Sequence, residues 1–319
     1  MKRAMAILAG AVLLALPFFG FAGDYYVNLS SQILIAAIWA LSLNLLVGYC
    51  GLTSLGHAVY LGIAAYLVGW MTSVMGMGHL TTALLALAIT TVLACVFGLI
   101  ALRASGLGFL MITLAIGQIF WGMAYRWVSL TGGDNGMTGL TRPAPFGVKL
   151  TTPVHFYGFT LAVFLCAFGL IALLVRSPLG SCMRGTRDQP RRMCALGHNV
   201  WLVRWSAFVL AGFWGAVAGL LFVYYHNYIS PHVLSLTNSA EVLLMVISGG
   251  AGTLFGPILG AALVLVLKNV VSAYIERWLM LLGVVFVMIV IFMPDGLVPG
   301  MRQWWVGRRA TAKPQGGEE

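Results

Sequence analysis

Long apolar runs separated by short polar stretches make up most of this chain. Eight runs are uninterrupted and come close to the roughly 17–25 residues of a membrane-spanning helix; they occupy about 5–22, 33–48, 58–75, 82–102, 107–127, 154–175, 206–225 and 278–293. A ninth run, 241–270, is interrupted near its centre by Gly249, Gly250, Gly252, Gly256 and Pro257, which argues against one continuous helix. The pattern predicts an all-α, polytopic integral membrane helical bundle with about eight continuous spans and one re-entrant segment broken by glycine and proline.

The amino-terminal run follows Lys2 and Arg3 and has two interpretations. It is either an uncleaved first span or a secretory signal peptide, and its length is closer to that of a span. Both interpretations leave Asp24 on the external side. At the other end 297–319 is a basic tail, and residues 1–319 are predicted to form a single transmembrane domain.

Composition and charge agree with this class of protein and exclude others. Apolar residues make up 61% of the chain and charged residues only 8%, against roughly 25% charged in ordinary soluble domains. The net charge of +10 does not indicate nucleic-acid binding, because basic residues lie at the ends of apolar runs and form no stripe interleaved with aromatics. One topology has both termini in the cytoplasm, and in it 241–270 enters and leaves on the external side. This topology places thirteen of the eighteen basic residues on the cytoplasmic side, where basic residues are enriched in membrane proteins. We therefore predict that topology.

A polar stretch at 176–204, hereafter the basic loop, carries six of the eighteen basic residues between two apolar runs. The Ser-Pro pair at 177–178 can open one short helix. Asp188 can cap a second helix that starts at Pro190 and closes at Gly197. The sequence thus predicts a cytoplasmic surface built from two short helices.

Three residues of the basic loop, Cys182, Cys194 and His198, have side chains that can bind metals. Cys194 and His198 are four residues apart, which could place both on one face of a helix. A fourth ligand is missing, and Cys and His on short helices commonly serve packing. We therefore predict no metal site.

Glycines and polar residues are concentrated at 44–57, in otherwise apolar sequence. Irregular backbone at membrane depth is tolerated only where it is buried or lines a cavity, so this region is either part of a translocation path or a glycine-rich connector at the surface. His57 alone is more typical of a structural histidine. With residues of two later runs, the candidate path residues are Asn44, Gly51, Ser54, Gly56, His57, Thr113, Gln118, Gly249, Gly250 and Gly252.

Sequence motifs for catalysis are missing from the chain. It contains no GxxxxGK[ST], no HExxH and no GxSxG, and no nucleophile, base and orienting acid converge in one segment. We therefore predict a non-catalytic protein that holds no cofactor, and a membrane-embedded enzyme is the disfavoured reading.

Ionisable residues bear on a further alternative, an ATP-independent transporter or channel. Such a protein is expected to bury an ionisable group deep in a span. Here the acids, Glu241 among them, lie near predicted membrane edges, and Lys268 can extend its long stem to the surface from near a helix end. This alternative is therefore the weaker one.

Several segments resemble one family of membrane proteins, from about Leu41 to Gly296. They are LSLNLLVGYCGLTSLGHAVYLGIAAYLVG, GLGFLMITLAIGQIFWGMAYRWVSLTGGDNGMTGL, the SPLG and ALGHNV motifs of the basic loop, and GGAGTLFGPILG. Together they are similar to branched-chain amino acid ABC transporter permeases of the LivM type. Two departures are Ala64, where the family usually has glycine, and the lack of an acid shortly after Asp188.

The resemblance implies a permease subunit of an ATP-driven importer that moves leucine, isoleucine and valine inward by alternating access. Implied partners are a second homologous permease, two ATP-binding subunits that bind the ATP, and a periplasmic solute-binding protein, in the bacterial inner (cytoplasmic) membrane. Urea, amides or other amino acids remain possible solutes. In the family the basic loop docks on the ATPase, so the expected coupling residues are Pro178, Gly180, Arg184, Arg187, Asp188 and Gly197.

Overall fold

A computed structural model describes residues 23–140, 142 and 152–272, together with positions 280, 283, 284, 286–288, 291 and 296–298. The predicted first span at 5–22 and the question of its cleavage lie outside these residues. So do most of the predicted span at 278–293 and nearly all of the basic tail.

Helices account for almost all of the described chain. They are α1 Asp24–Asn44, α2 Ala58–Ser73, α3 His79–Ala101, α4 Leu107–Arg126, α5 Val128–Thr131, α6 Pro153–Arg176, α7 Pro178–Asp188, α8 Pro190–Ala195, α9 Val200–His226, α10 Leu236–Gly249 and α11 Gly256–Ser272. A π-helical turn, Leu45–Cys50, prolongs α1. Over the described ranges there is no strand, and one isolated antiparallel bridge joins Met137 to Ile229. The all-α polytopic fold predicted from the sequence is confirmed.

Five of these helices are long and apolar enough to cross a bilayer: α1 with its π-helical turn, α3, α4, α6 and α9. Helix α2, with 16 residues, and the two helices of the broken run, with 14 and 17 residues, are shorter. Six of the eight predicted continuous runs are thus helices here, and the other two fall largely or wholly outside the described residues. The predicted break is confirmed, because the helix stops at Gly249 and resumes at Gly256.

Helix α1 forms the centre of the bundle. Its middle part, 33–41, is apolar on every side, as expected for a helix surrounded by protein, and residues such as Ala37, Ile38 and Leu41 are completely buried. Helices α6, α9, α10 and α11 all pack against it. Helices α3 and α4 lie further out and expose large apolar residues such as Leu84 and Met111, as lipid-facing helices do.

The region after α1 turns back into the bundle. Gly51 has a φ of 69°, a conformation that favours glycine, and residues 51–57 contain little regular structure. The ring of His57 comes within 2.7 Å of Ser42 Oγ. Ser42 lies eight residues, or about 12 Å, before the end of the π-helical turn. Helix α2 therefore starts inside the bundle, where Ser239 Oγ accepts the Ala58 N–H at 3.2 Å. This region is a re-entrant segment followed by a short helix.

The ninth run is an antiparallel hairpin, α10 and α11, joined by a tip at residues 250–255. Its two helices approach backbone to backbone at glycines, as small residues allow in membrane proteins. A side chain at Gly260 would collide with the Met245 carbonyl, and one at Gly249 would collide with the Gly256 carbonyl. The hairpin therefore enters and leaves at one end of the bundle, as predicted.

Gly260→Ala is expected to destabilise the hairpin, because the added methyl group overlaps the Met245 carbonyl oxygen. Overpacking of this kind costs about 1–3 kcal/mol, which we expect as a lower thermal unfolding midpoint of the protein in detergent. Gly169→Ala in α6 is the matched control, since nothing lies within 4 Å of its side-chain position. Equal midpoints for the two variants would contradict the close packing of the hairpin.

Candidate functional site

The basic loop folds as two short helices, α7 and α8, and each begins with the proline that the sequence placed there. Ser177 Oγ accepts the Gly180 N–H at 3.5 Å and so caps α7. The predicted Asp188 cap of α8 is wrong. Gln189 occupies the capping position without a side-chain hydrogen bond, and Asp188 is the last residue of α7, where its carboxylate pairs with Arg187 at 2.9 Å. Gly197 follows α8 with a φ of 84°.

Helix α7 is seated against the end of α6. A side chain at Gly180 would overlap the Leu174 and Val175 carbonyls. Arg184 Nη1 donates to the Val175 carbonyl at 3.0 Å, which puts a positive charge at the negative end of the α6 dipole. Gly180 and Arg184 thus fix the basic loop to a membrane-spanning helix.

Arg187 joins the basic loop to both glycine-broken segments. Its Nη1 donates to the Gly48 carbonyl at 2.6 Å. A Cβ at Gly51 would lie 2.8 Å from Arg187 Cγ, and one at Gly252 would lie 3.0 Å from Arg187 Nη1. The guanidinium therefore sits where the π-helical turn and the hairpin tip meet, hereafter the loop end of the bundle.

Asn44 holds the two broken segments together. Its Nδ2 donates to the Thr253 carbonyl at 2.8 Å, and its Oδ1 accepts the Gly252 N–H at 2.9 Å. The residue is 1% exposed, so these bonds replace water for both backbone groups. The structure thus brings together Asn44, Gly51 and Gly252, with Gly249 and Gly250 in the same hairpin.

Ser54, Gly56, His57 and Thr113 form a second cluster of predicted path residues. Thr113 Oγ1 accepts the Leu55 N–H at 3.4 Å, and a side chain at Gly56 would overlap the Thr113 carbonyl. His57 is completely buried and bonds Ser42.

Gln118 is separate from this cluster. It is half-buried and makes no hydrogen bond with the described residues. Five residues after Thr113, it also points about 140° away around α4. A path role for all ten residues stays a prediction.

Two cavities in the described structure are not lined by any of these ten residues. One, of about 250 Å³, has an almost wholly apolar lining between α2, α4 and Leu234. The other, of about 380 Å³, lies between α1, α9, α10 and α11, away from the loop end. Its lining includes several polar side chains that the sequence reasoning did not single out as path residues.

An ion pair at this second cavity corrects one expectation. Lys268 Nζ lies 3.1 Å from both carboxylate oxygens of Glu241, so the lysine pairs with an acid of the protein instead of extending alone to the surface. Glu241 is only 7% exposed, so its carboxylate is buried in the protein. The sequence contained a signal for this ion pair. Two opposite charges near the two ends of a predicted antiparallel hairpin come to similar positions along the bundle axis.

The three residues of the basic loop whose side chains can bind metals do not form a cluster. Cys182 Sγ lies 4.0 Å from His198 Nδ1, and Cys194 is exposed. Among the residues that the structure describes, no group of three His, Cys, Asp or Glu side chains could hold a metal ion.

Comparison with known proteins gives the family. A family model described as "Branched-chain amino acid transport system / permease component" matches residues 25–293. The chain belongs to this family. The resemblance seen in the sequence is confirmed, and the protein is a multi-pass membrane permease component.

Relatives of this permease carry related names. A "High-affinity branched-chain amino acid transport system permease protein LivM" of Salmonella typhimurium is 28% identical over 321 residues, covering 93% of this chain and 75% of the relative. The protein of the same name from Escherichia coli is 28% identical over 310 residues, with 90% and 73% covered. A "Probable branched-chain amino acid transport permease protein LivM" of Methanocaldococcus jannaschii is 27% identical over 141 residues, about two fifths of each chain. No solved structure matches significantly.

Asn44→Ala is expected to loosen the hairpin tip, since it removes two hydrogen bonds to partly buried backbone. At about 0.5–1.5 kcal/mol each, their loss predicts roughly 5- to 150-fold faster hydrogen exchange of the tip amides. Mass spectrometry of peptides spanning residues 246–258 measures this rate. Ser42→Ala, two residues away, is the control because Ser42 bonds His57 and Trp39 instead of the tip. Unchanged tip exchange in Asn44→Ala would count against the bridge.

Proposed function

We propose that this permease is the membrane subunit of an ATP-driven importer that moves leucine, isoleucine or valine into the cytoplasm by alternating access. The observation that carries this proposal is the position of Arg187. One side chain of the basic loop contacts both irregular segments of the bundle, at Gly48 and beside Gly252. The names of the relatives support the choice of solute.

Coupling through Arg187 follows from simple mechanics. A partner that binds α7 and displaces it also displaces Arg187. Arg187 is hydrogen-bonded to the Gly48 carbonyl, at the end of the central helix. Asn44 carries the same displacement to the hairpin tip. A nucleotide-dependent partner that binds two positions of α7 with different affinity would therefore shift the bundle between two states.

The proposed assembly contains a second homologous permease, two ATP-binding subunits and a periplasmic solute-binding protein. ATP is bound by those partner subunits, so this chain holds no cofactor. The complex lies in the bacterial inner membrane with the loop end and both termini in the cytoplasm. The excess of basic residues at 176–204 supports this orientation.

The second candidate function is an ATP-independent transporter, and one observation favours it: the buried Glu241, which is paired with the half-buried Lys268. Buried ionisable groups mark ion or proton paths in such proteins. The contacts of Arg187 favour the importer. A transporter without ATPase partners has no need for a basic surface helix that contacts both irregular segments of the bundle. The two functions differ in a simple test, since only the second predicts uptake by this chain alone in liposomes.

Replacing Arg187 and Asp188 together by alanine is expected to uncouple transport from ATP hydrolysis. Loss of the charge-assisted bond to Gly48, worth about 1.5–3 kcal/mol, predicts roughly 10- to 100-fold less solute imported per ATP hydrolysed. The measurement is simultaneous uptake and phosphate release in proteoliposomes that contain the complex isolated from its native membrane.

The control is Arg192→Ala, which removes an exposed arginine of the neighbouring helix. It should leave the ratio of transport to hydrolysis within about twofold of the original, as expected of a surface charge. An unchanged ratio in the Arg187 and Asp188 double variant would remove the basic loop from the coupling mechanism.

A further inference from the structure

The cavity near the base of the hairpin is lined by charged, polar and apolar residues. It has a volume of about 380 Å³, within the range of roughly 300–1,000 Å³ that small-molecule sites occupy. Glu241 and Lys268 are its charged residues, one on each helix of the hairpin. Helix α1, the central helix of the bundle, contributes Gln32, Ile35, Ala36 and Trp39.

The ion pair is positioned to exchange partners. The Glu241 side chain is 9% exposed and that of Lys268 is 37% exposed, so a carboxylate that is almost dry faces an ammonium that the cavity still reaches. Leaving the Glu241 carboxylate alone in such a place is costly. A ligand that separates the pair keeps both charges partnered only if it brings one charge of each sign.

Polar atoms around the pair add hydrogen-bonding capacity. Gln32 donates its Nε2 to Tyr225 Oη at 3.0 Å, and Asn238 donates its Nδ2 to the His232 carbonyl at 2.8 Å. Both amides still have an oxygen that can accept. The buried Trp39 indole N–H, which also belongs to the cavity lining, has no hydrogen-bond partner within the described residues. A buried donor without a partner is uncommon and indicates space for an acceptor.

Part of the lining, hereafter the aliphatic wall, consists of aliphatic side chains. These are Ile35, Ala36, Leu61, Met245 and Leu265. Such a wall stabilises a small aliphatic side chain by about 0.8 kcal/mol for each CH₂ that it buries, and it has no group to pair with a polar one.

We propose that this cavity binds a zwitterionic amino acid with an aliphatic side chain. The α-ammonium group contacts the Glu241 carboxylate, the α-carboxylate contacts the Lys268 ammonium, and the side chain lies against the aliphatic wall. This inference rests on the proposed function and locates its solute site. It also explains selection, because an analogue that lacks the ammonium group leaves the nearly dry Glu241 carboxylate without an opposite charge, and one that lacks the carboxylate leaves the half-buried Lys268 without one.

The test uses a cysteine reporter in the wall, Ala36→Cys, in the assembled complex. A methanethiosulfonate reagent labels the cysteine, and mass spectrometry reads its labelling rate with and without L-leucine. We expect leucine to slow labelling at least tenfold. Leucinol, which lacks the carboxylate, and 4-methylpentanoate, which lacks the ammonium group, should have little effect at equal concentration. Labelling of the exposed Cys194 at the loop end should not respond to leucine.

Glu241→Gln combined with Lys268→Gln separates ligand binding from a structural role. The two amides can bond each other and leave no buried charge unpaired, so the hairpin keeps its fold. We expect the leucine concentration needed for protection to rise roughly tenfold or more, because charge-assisted bonds are lost. Asp24→Asn removes an exposed carboxylate outside the cavity lining and should leave protection unchanged.

The outcomes separate this inference from the proposed function. If the complex imports leucine with ATP, but leucine does not protect the reporter or protects the double variant equally, the cavity inference is overturned and the importer stands. If the complex imports no leucine, the proposed solute is wrong. Protection by another zwitterionic amino acid, lost in the double variant, would then still support the cavity site, and its absence across a panel of amino acids would overturn it.

Discussion

Backbone amides and carbonyls that lose their helical partners inside a membrane need new ones, and the rest of this structure depends on how that need is met. Regular α-helix stops after Asn44 and after Gly249, both at the loop end of the bundle. The Asn44 side chain bonds two backbone groups of the hairpin tip, the Gly252 N–H and the Thr253 carbonyl. Arg187 bonds the Gly48 carbonyl. Each irregular segment is therefore held by a side chain from another element, which ties the basic loop, the central helix and the hairpin into one network.

The hairpin extends this network toward the far end of the bundle. Helix α10 has fourteen residues and is about 21 Å long. Its tip lies beside Arg187, whereas its base carries Glu241 and the cavity that Glu241 shares with Lys268. Because Gly260 brings the backbones of the two hairpin helices into direct contact, the tip and the base are connected by packed atoms without a flexible joint. The proposed solute site thus lies on the same packed element whose tip contacts Arg187 of the proposed coupling surface.

Much of the fold could be predicted from local sequence because the local signals are strong. Apolar runs of spanning length gave the helices, and the glycines with Pro257 gave the break between α10 and α11. Prolines 178 and 190 marked the starts of the two loop helices. The re-entrant course of 51–57 could not be predicted in the same way. A glycine-rich stretch only permits such a course, and the contact of His57 with Ser42 is what selects it.

The sequence by itself determined the class of protein, the family and the positively charged loop, because composition, run length and motif spacing are properties of neighbouring residues. Tertiary structure decided which residues meet. Asn44 and Gly252 are 208 positions apart, and Glu241 pairs with Lys268 only because the chain reverses at the hairpin tip. Periodicity places a residue on a helix but does not say which helix faces it. Arg187 as the bridge, and the charged cavity at the hairpin base, therefore emerge only once the helices are packed.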